Sequence, residues 1–116
     1  LDDAKHPDAK LGRDGNRTLA SLYDLITSDK RRGPTRPIGQ WNRGRIVVDK
    51  NNNVNYYLNG VKVLSYTRGS KEFKDLVALS KYKDWDKFGE AAEGYILLQD
   101  HGDEVSFRSI KIKNYK

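Results

Sequence analysis

The chain contains two histidines, and each sits among carboxylates. His101 lies in Gln99-Asp100-His101-Gly102-Asp103, and His6 lies in Asp2-Asp3-Ala4-Lys5-His6-Pro7-Asp8. An imidazole titrates near neutrality, so it can act as a general base or acid, or ligate a metal. Asp and His together offer the oxygen and nitrogen ligands that a hard or borderline divalent ion accepts. Each cluster also has an architectural reading. Asp100 to Asp103 suits a polar hairpin turn in which Asp and Gln side chains satisfy local backbone groups and Gly102 allows a sharp bend. The His6 cluster suits a solvated acidic loop. The sequence has no helical two-histidine metal spacing, no glycine-rich phosphate loop and no nucleophilic-serine motif. Asp49-Lys50-Asn51-Asn52-Asn53 lacks the glycine and the closing Glu of a calcium loop, so it reads as a turn. Trp41, Tyr56, Tyr57 and Trp85 are aromatics that could stack on sugars or bases, a role that competes with ordinary packing.

These clusters must be positioned by strands. The 101 turn is flanked by Tyr95-Ile96-Leu97-Leu98 and by Val105, Phe107, Ile110 and Ile112, which read as two strands. Val105 and Phe107 share one parity and Ile110 and Ile112 the other, so a β-bulge is expected near Arg108-Ser109. A β-meander is expected from Arg45 to Tyr66. Ile46-Val47-Val48 leads to the Asn51-Asn52-Asn53 turn, Val54, Tyr56 and Leu58 alternate with polar partners, and Asn59-Gly60 signals a hairpin. Within it Val61, Val63 and Ser65 alternate with Lys62, Leu64 and Tyr66. The period then changes. Phe73, Leu76, Val77 and Ser80 mark one face of an amphipathic helix around 70–82, capped by Ser70, with a further helical turn over 84–89 that turns Trp85 and Phe88 inwards. Leu19 to Ile26 fits either a short strand or a helical turn, and Lys30-Arg31-Arg32 reads as a solvated basic loop.

The totals bound the class. The 116 residues are enough for one domain, 1–116, but with 36% hydrophobic and 33% charged residues the core cannot be generous. Net charge is +6, but the charges are scattered and no basic-aromatic stripe marks a nucleic-acid surface. Cysteine is absent, so there is neither a disulfide framework nor a thiolate zinc site. No run of about 18 apolar residues exists to span a membrane. The pattern is all-β with one helix, yet roughly five strands are countable, fewer than a closed two-sheet sandwich uses.

Several stretches, taken in order, resemble the 3-keto-disaccharide hydrolase family. They are Leu1-Asp2-Asp3-Ala4-Lys5-His6-Pro7-Asp8-Ala9, Gly15-Asn16-Arg17, Ser21-Leu22-Tyr23-Asp24-Leu25, and Pro37-Ile38-Gly39-Gln40-Trp41-Asn42 with Arg45-Ile46-Val47-Val48. Tyr57-Leu58-Asn59-Gly60-Val61-Lys62-Val63 follows, and then Gly94 to Gly102 with Val105 and Phe107 to Ile112. The resemblance covers essentially the whole chain. It implies a concanavalin A-like jelly-roll β-sandwich, periplasmic or secreted. It also implies that this chain corresponds to the C-terminal half or more of such a domain, so that an N-terminal segment or a second chain completes the sandwich.

The implied partner is a carbohydrate already oxidised at C3. The ketone acidifies the C2 proton, a base removes it, an electrophile holds the enolate, the C1 substituent leaves and water adds back. A divalent ion of unspecified identity would be the electrophile. On this resemblance His101 is the base or a ligand, and Asp100 orients it or shares the ion. His6 and Asp3 supply metal ligands, and Gln99, Tyr23, Arg108 and Trp41 line the pocket. The competing reading is a non-catalytic carbohydrate-binding β-sandwich module, which would bind sugars and release nothing.

Overall fold

The computed structural model describes residues 3–115, so Asp2 of the acidic cluster lies outside the described residues. Three strands, β1 (Gly44–Val48), β2 (Asn53–Leu58) and β3 (Val61–Thr67), form an antiparallel meander in that order. Both turns follow from asparagine chemistry. Asn52 takes φ +62° while Asp49 accepts the amides of Asn51 and Asn53, and Asn59-Gly60 turns with φ +48° and +87°. Asn tolerates this left-handed backbone and Gly adopts it freely.

Ile46 faces Tyr56, Val48 faces Val54, and Tyr56 faces Leu64, so one face of the sheet is apolar. The expected alternation along β3 breaks once. The register shifts between Tyr56 and Tyr57, leaving Val63 without an opposite residue, and Val63 and Leu64 are both buried. The Val63 carbonyl turns to the Asp29 amide at 2.7 Å, which ties the preceding loop to the sheet. The bulge thus lies in β3 rather than near the C-terminus.

Helix α1 (Lys71–Ala78) starts where Ser70 accepts the Phe73 amide, and it stops short of the expected residue 82. Phe73 is buried and stacks on Tyr66 at 5.6 Å, while Leu76, Val77 and Ser80 complete the expected inner face. Gly89 lies against this contact. A Cβ there would come within 2.8 Å of the Phe73 ring, and its φ of +72° is left-handed. Residues 84–89 form turns instead of a helix. Phe88 stacks on Tyr82 at 4.1 Å, but Trp85 is 62% exposed rather than inward.

The two strands expected around the 101 turn do not form. Residues 91–115 join no ladder, and Tyr95, Ile96, Leu97 and Ile112 are largely exposed. The described sheet accordingly stops at three strands. The parity break near Arg108-Ser109 is met by left-handed backbone at Ser109, φ +55°, rather than by a bulge. The structure therefore establishes a β fold with a three-stranded sheet and little helix.

Candidate functional site

Residues 3–28 contain little regular structure and are held by side chains instead. Pro7–Lys10 makes a single 3-10 turn in which the Nδ1 of His6 accepts the Asp8 amide at 3.2 Å. Leu19 to Ile26 resolves as neither strand nor helix but as a tight loop closed by one bridge, Leu22 to Ile26. At its tip Asp24 sits at φ +65° with 5% of its surface exposed.

The centre of this loop is an ion network. Arg17 donates from Nε to Asp24 at 2.7 Å and from a terminal nitrogen to Asp8 at 3.3 Å. The second oxygen of Asp24 accepts the Lys81 amide at 2.8 Å, fastening the loop to the turn after α1. Tyr23 donates its hydroxyl to the other oxygen of Asp8. That hydroxyl, with Arg17, holds the Asp8 carboxyl below its usual range against the opposing effect of burial. For Asp24, burial pushes upward but is outweighed by the Lys81 amide and by Arg17, so its pKa is also lowered. Burial and the bond to Asp8 push the Tyr23 phenol up to about 12, so at neutral pH it carries its proton. The Asp24 bond likewise raises Arg17.

Both histidines meet beside this network. Their ring centroids are 5.5 Å apart. Because His6 Nδ1 accepts an amide, the neutral ring carries its proton on Nε2. His6 Nε2 lies 3.7 Å from the Asp103 carboxylate. His101 is exposed and has no such constraint on either nitrogen among the described residues.

The other expected site residues are placed differently. Asp100 accepts the Gly102 amide at 3.0 Å, so it shapes the turn and does not orient His101. Asp3 does not join His6. One of its oxygens accepts the Leu19 amide at 2.6 Å, and the other lies 3.4 Å from Lys30. Lys30 in turn bonds Thr18, Ser28 and the Leu19 carbonyl, so it is a structural anchor rather than part of a solvated loop. Among the described residues no three His, Cys, Asp or Glu side chains are grouped to hold a metal ion. Gln99 is exposed, and its amide makes no hydrogen bond among the described residues. Arg108 stacks its guanidinium on Trp41, 4.1 Å from the ring centroid. Tyr23 is the one expected pocket residue within the ion network.

Sequence reasoning did not assign site roles to Asp8, Arg17, Asp24, Lys81 or Asp103. A signal was present. Arg17 lies within a 17-residue stretch bounded by Asp8 and Asp24, a spacing that lets one guanidinium bridge two carboxylates.

Comparison with known proteins bears on this arrangement. A family described as a 3-keto-alpha-glucoside-1,2-lyase-like domain matches residues 1–113. A protein of Bacteroides thetaiotaomicron named 3-keto-disaccharide hydrolase is 42% identical over 124 aligned positions, covering 97% of this chain. The chain spans 41% of that relative's length.

Proposed function

The chain belongs to the 3-keto-alpha-glucoside-1,2-lyase-like family, and on that premise we propose that it carries part of a site that cleaves glycosides oxidised at C3. The observation that carries this reading is the meeting of His6 and His101 beside the Asp8–Tyr23–Arg17 network.

His101 is the base. It is accessible and its nitrogens are unengaged among the described residues. It removes the C2 proton of the 3-keto sugar, and the electron pair moves onto the C3 oxygen as an enolate. Collapse of the enolate expels the C1 substituent, and the proton that His101 took from C2 passes to the leaving oxygen, which restores the base, while His6 Nε2, facing Asp103, keeps its proton. Water then adds across the C1–C2 bond of the unsaturated ketone, so the net change is hydrolysis. Tyr23, held protonated, is a hydrogen-bond donor and acceptor rather than a second base. A divalent ion would supply electrophilic stabilisation of the enolate, but the described residues make no ligand set for one, and no step here depends on it.

The jelly-roll sandwich belongs to the same proposal. Ile46 and Val48 leave the apolar sheet face 62% and 53% exposed at β1, and the 95–112 segment is apolar and unpaired. A second sheet would cover both features. Export to the periplasm or cell surface is proposed on the family alone. Among the described residues no helix is long and apolar enough to cross a membrane.

The test is release of a chromogenic leaving group from a 3-keto-glucoside and from the unoxidised glucoside, with and without chelator. Release from the keto substrate alone is expected. Equal release from both would replace this mechanism with ordinary glycoside hydrolysis. Binding of sugar with no release would favour a carbohydrate-binding module. Loss on chelation would add an ion whose ligands lie outside the groups described.

A further inference from the structure

The proposed reaction needs a group that holds negative charge on the C3 oxygen, and neither histidine is free for it. Asp8 and Asp24 already occupy Arg17, so that cation is neutralised within the network. Lys81 differs. Lys81 is an exposed residue whose ammonium forms no ion pair with a carboxylate among the described residues, although its charge helps to lower Asp24. It lies 4.6 Å from the centroid of the Tyr23 ring and 5.3 Å from that of Tyr82.

Its placement is built into the fold. Ser80 is buried, donating its hydroxyl to the Val77 carbonyl and accepting the Tyr82 amide, which sets the turn leaving α1. The next residue gives its amide to the buried Asp24 carboxylate, 57 positions away in sequence. Asp24 therefore grips Arg17 with one oxygen and the backbone of Lys81 with the other. The Lys81 side chain lies over the ring whose hydroxyl is bonded to Asp8, and the amide of Asp8 is held by His6, the ring beside His101. A lysine on two phenol faces keeps an apolar stem packed while its charged end stays available to a ligand.

We propose that Lys81 is the cationic group that receives the C3 oxygen of the oxidised sugar, donating a hydrogen bond to the ketone and holding the enolate formed when C2 loses its proton. The inference rests on the reading of the site as one for 3-keto-glycosides. The ammonium keeps its proton throughout. The C2 proton goes to His101, the electron pair goes to the C3 oxygen, and collapse of the enolate returns that pair to the carbon framework as the C1 substituent departs.

The experiment uses the protein with whatever flanking sequence its gene encodes. Lys81→Met, Lys81→Gln and Lys81→Arg are compared with wild type. The Asp24 bond is to the backbone amide of residue 81, so all three substitutions retain it. Two quantities are read: kcat/KM for a chromogenic 3-keto-glucoside, and exchange of the C2 hydrogen for deuterium in heavy water. Met and Gln should each lower both by about 100-fold, with Arg retaining most of the activity. Either neutral variant staying folded and within about twofold of wild type in both readouts would overturn the role of Lys81 while leaving the function standing. A wild type that neither exchanges C2 nor releases the leaving group would overturn the function and this inference with it.

Discussion

The three charges at the centre of the loop make the most specific demand on single residues. Arg17, Asp8 and Asp24 keep 17%, 11% and 7% of their side chains exposed, so water does little to screen them. Arg17→Ala would leave two desolvated carboxylates facing each other, and it should cost about 3–5 kcal/mol of stability in urea unfolding. Arg17→Lys should recover little, since one ammonium cannot reproduce the fork that spans Asp8 and Asp24. The network also sets a pH window. Asp8 and Asp24 have lowered values in the folded state, so their contribution is present above about pH 4 and is lost as pH falls through the depressed values. Tyr23 is raised to about 12, so its contribution is intact below the ordinary phenol value and is lost as pH climbs towards 12. Unfolding midpoints followed across pH should therefore fall on both sides. Tyr56 and Tyr82 are also raised by burial and share the alkaline limb, so Tyr23→Phe should make it shallower without removing it, and an unchanged limb would contradict the Tyr23–Asp8 bond.

At the scale of elements, burial separates substitutions that sequence alone would rank together. Leu58 is 3% exposed and Ile46 is 62% exposed, although both are apolar residues of expected strands. Leu58→Ala should cost about 2–5 kcal/mol, and Ile46→Ala under about 1 kcal/mol, by chemical denaturation. Ser70→Ala should cost about 1 kcal/mol through loss of the cap on the Phe73 amide. The meander and its turns were legible because local chemistry fixes them. Asn59-Gly60 turns wherever it occurs between alternating apolar residues, and the Phe73 to Ser80 spacing can only be a helix face. The 95–112 segment was misread because an apolar run states a preference for burial and not the identity of its partner strand. In the site, the two histidines were legible as chemistry-bearing residues. Their meeting across 95 positions and the diversion of Asp3 to the Leu19 amide were not, because both depend on tertiary contacts that no local pattern encodes, whereas the Asp100 bond to the Gly102 amide is the local turn the sequence offers.

The whole molecule has an imbalance between a compact loop-and-meander half and an exposed apolar segment. Ile96, Leu97, Ile110 and Ile112 are between 61% and 79% exposed, and they follow one another along one stretch of chain. Exposed apolar surface of this kind binds fluorescent hydrophobic dyes. The 116-residue chain should enhance such a dye, and Ile96→Lys with Ile112→Lys should reduce the signal without lowering the meander's stability. The site draws on both halves, since His6 comes from the loop half and His101 from the apolar segment. The most direct test is the rate of leaving-group release from a 3-keto-glucoside by wild type and by His101→Gln, with folding checked by circular dichroism. The account predicts a loss of about 100-fold or more in a folded variant. A folded variant as fast as wild type would return the Gln-Asp-His-Gly turn to a purely architectural role and remove His101 as the base.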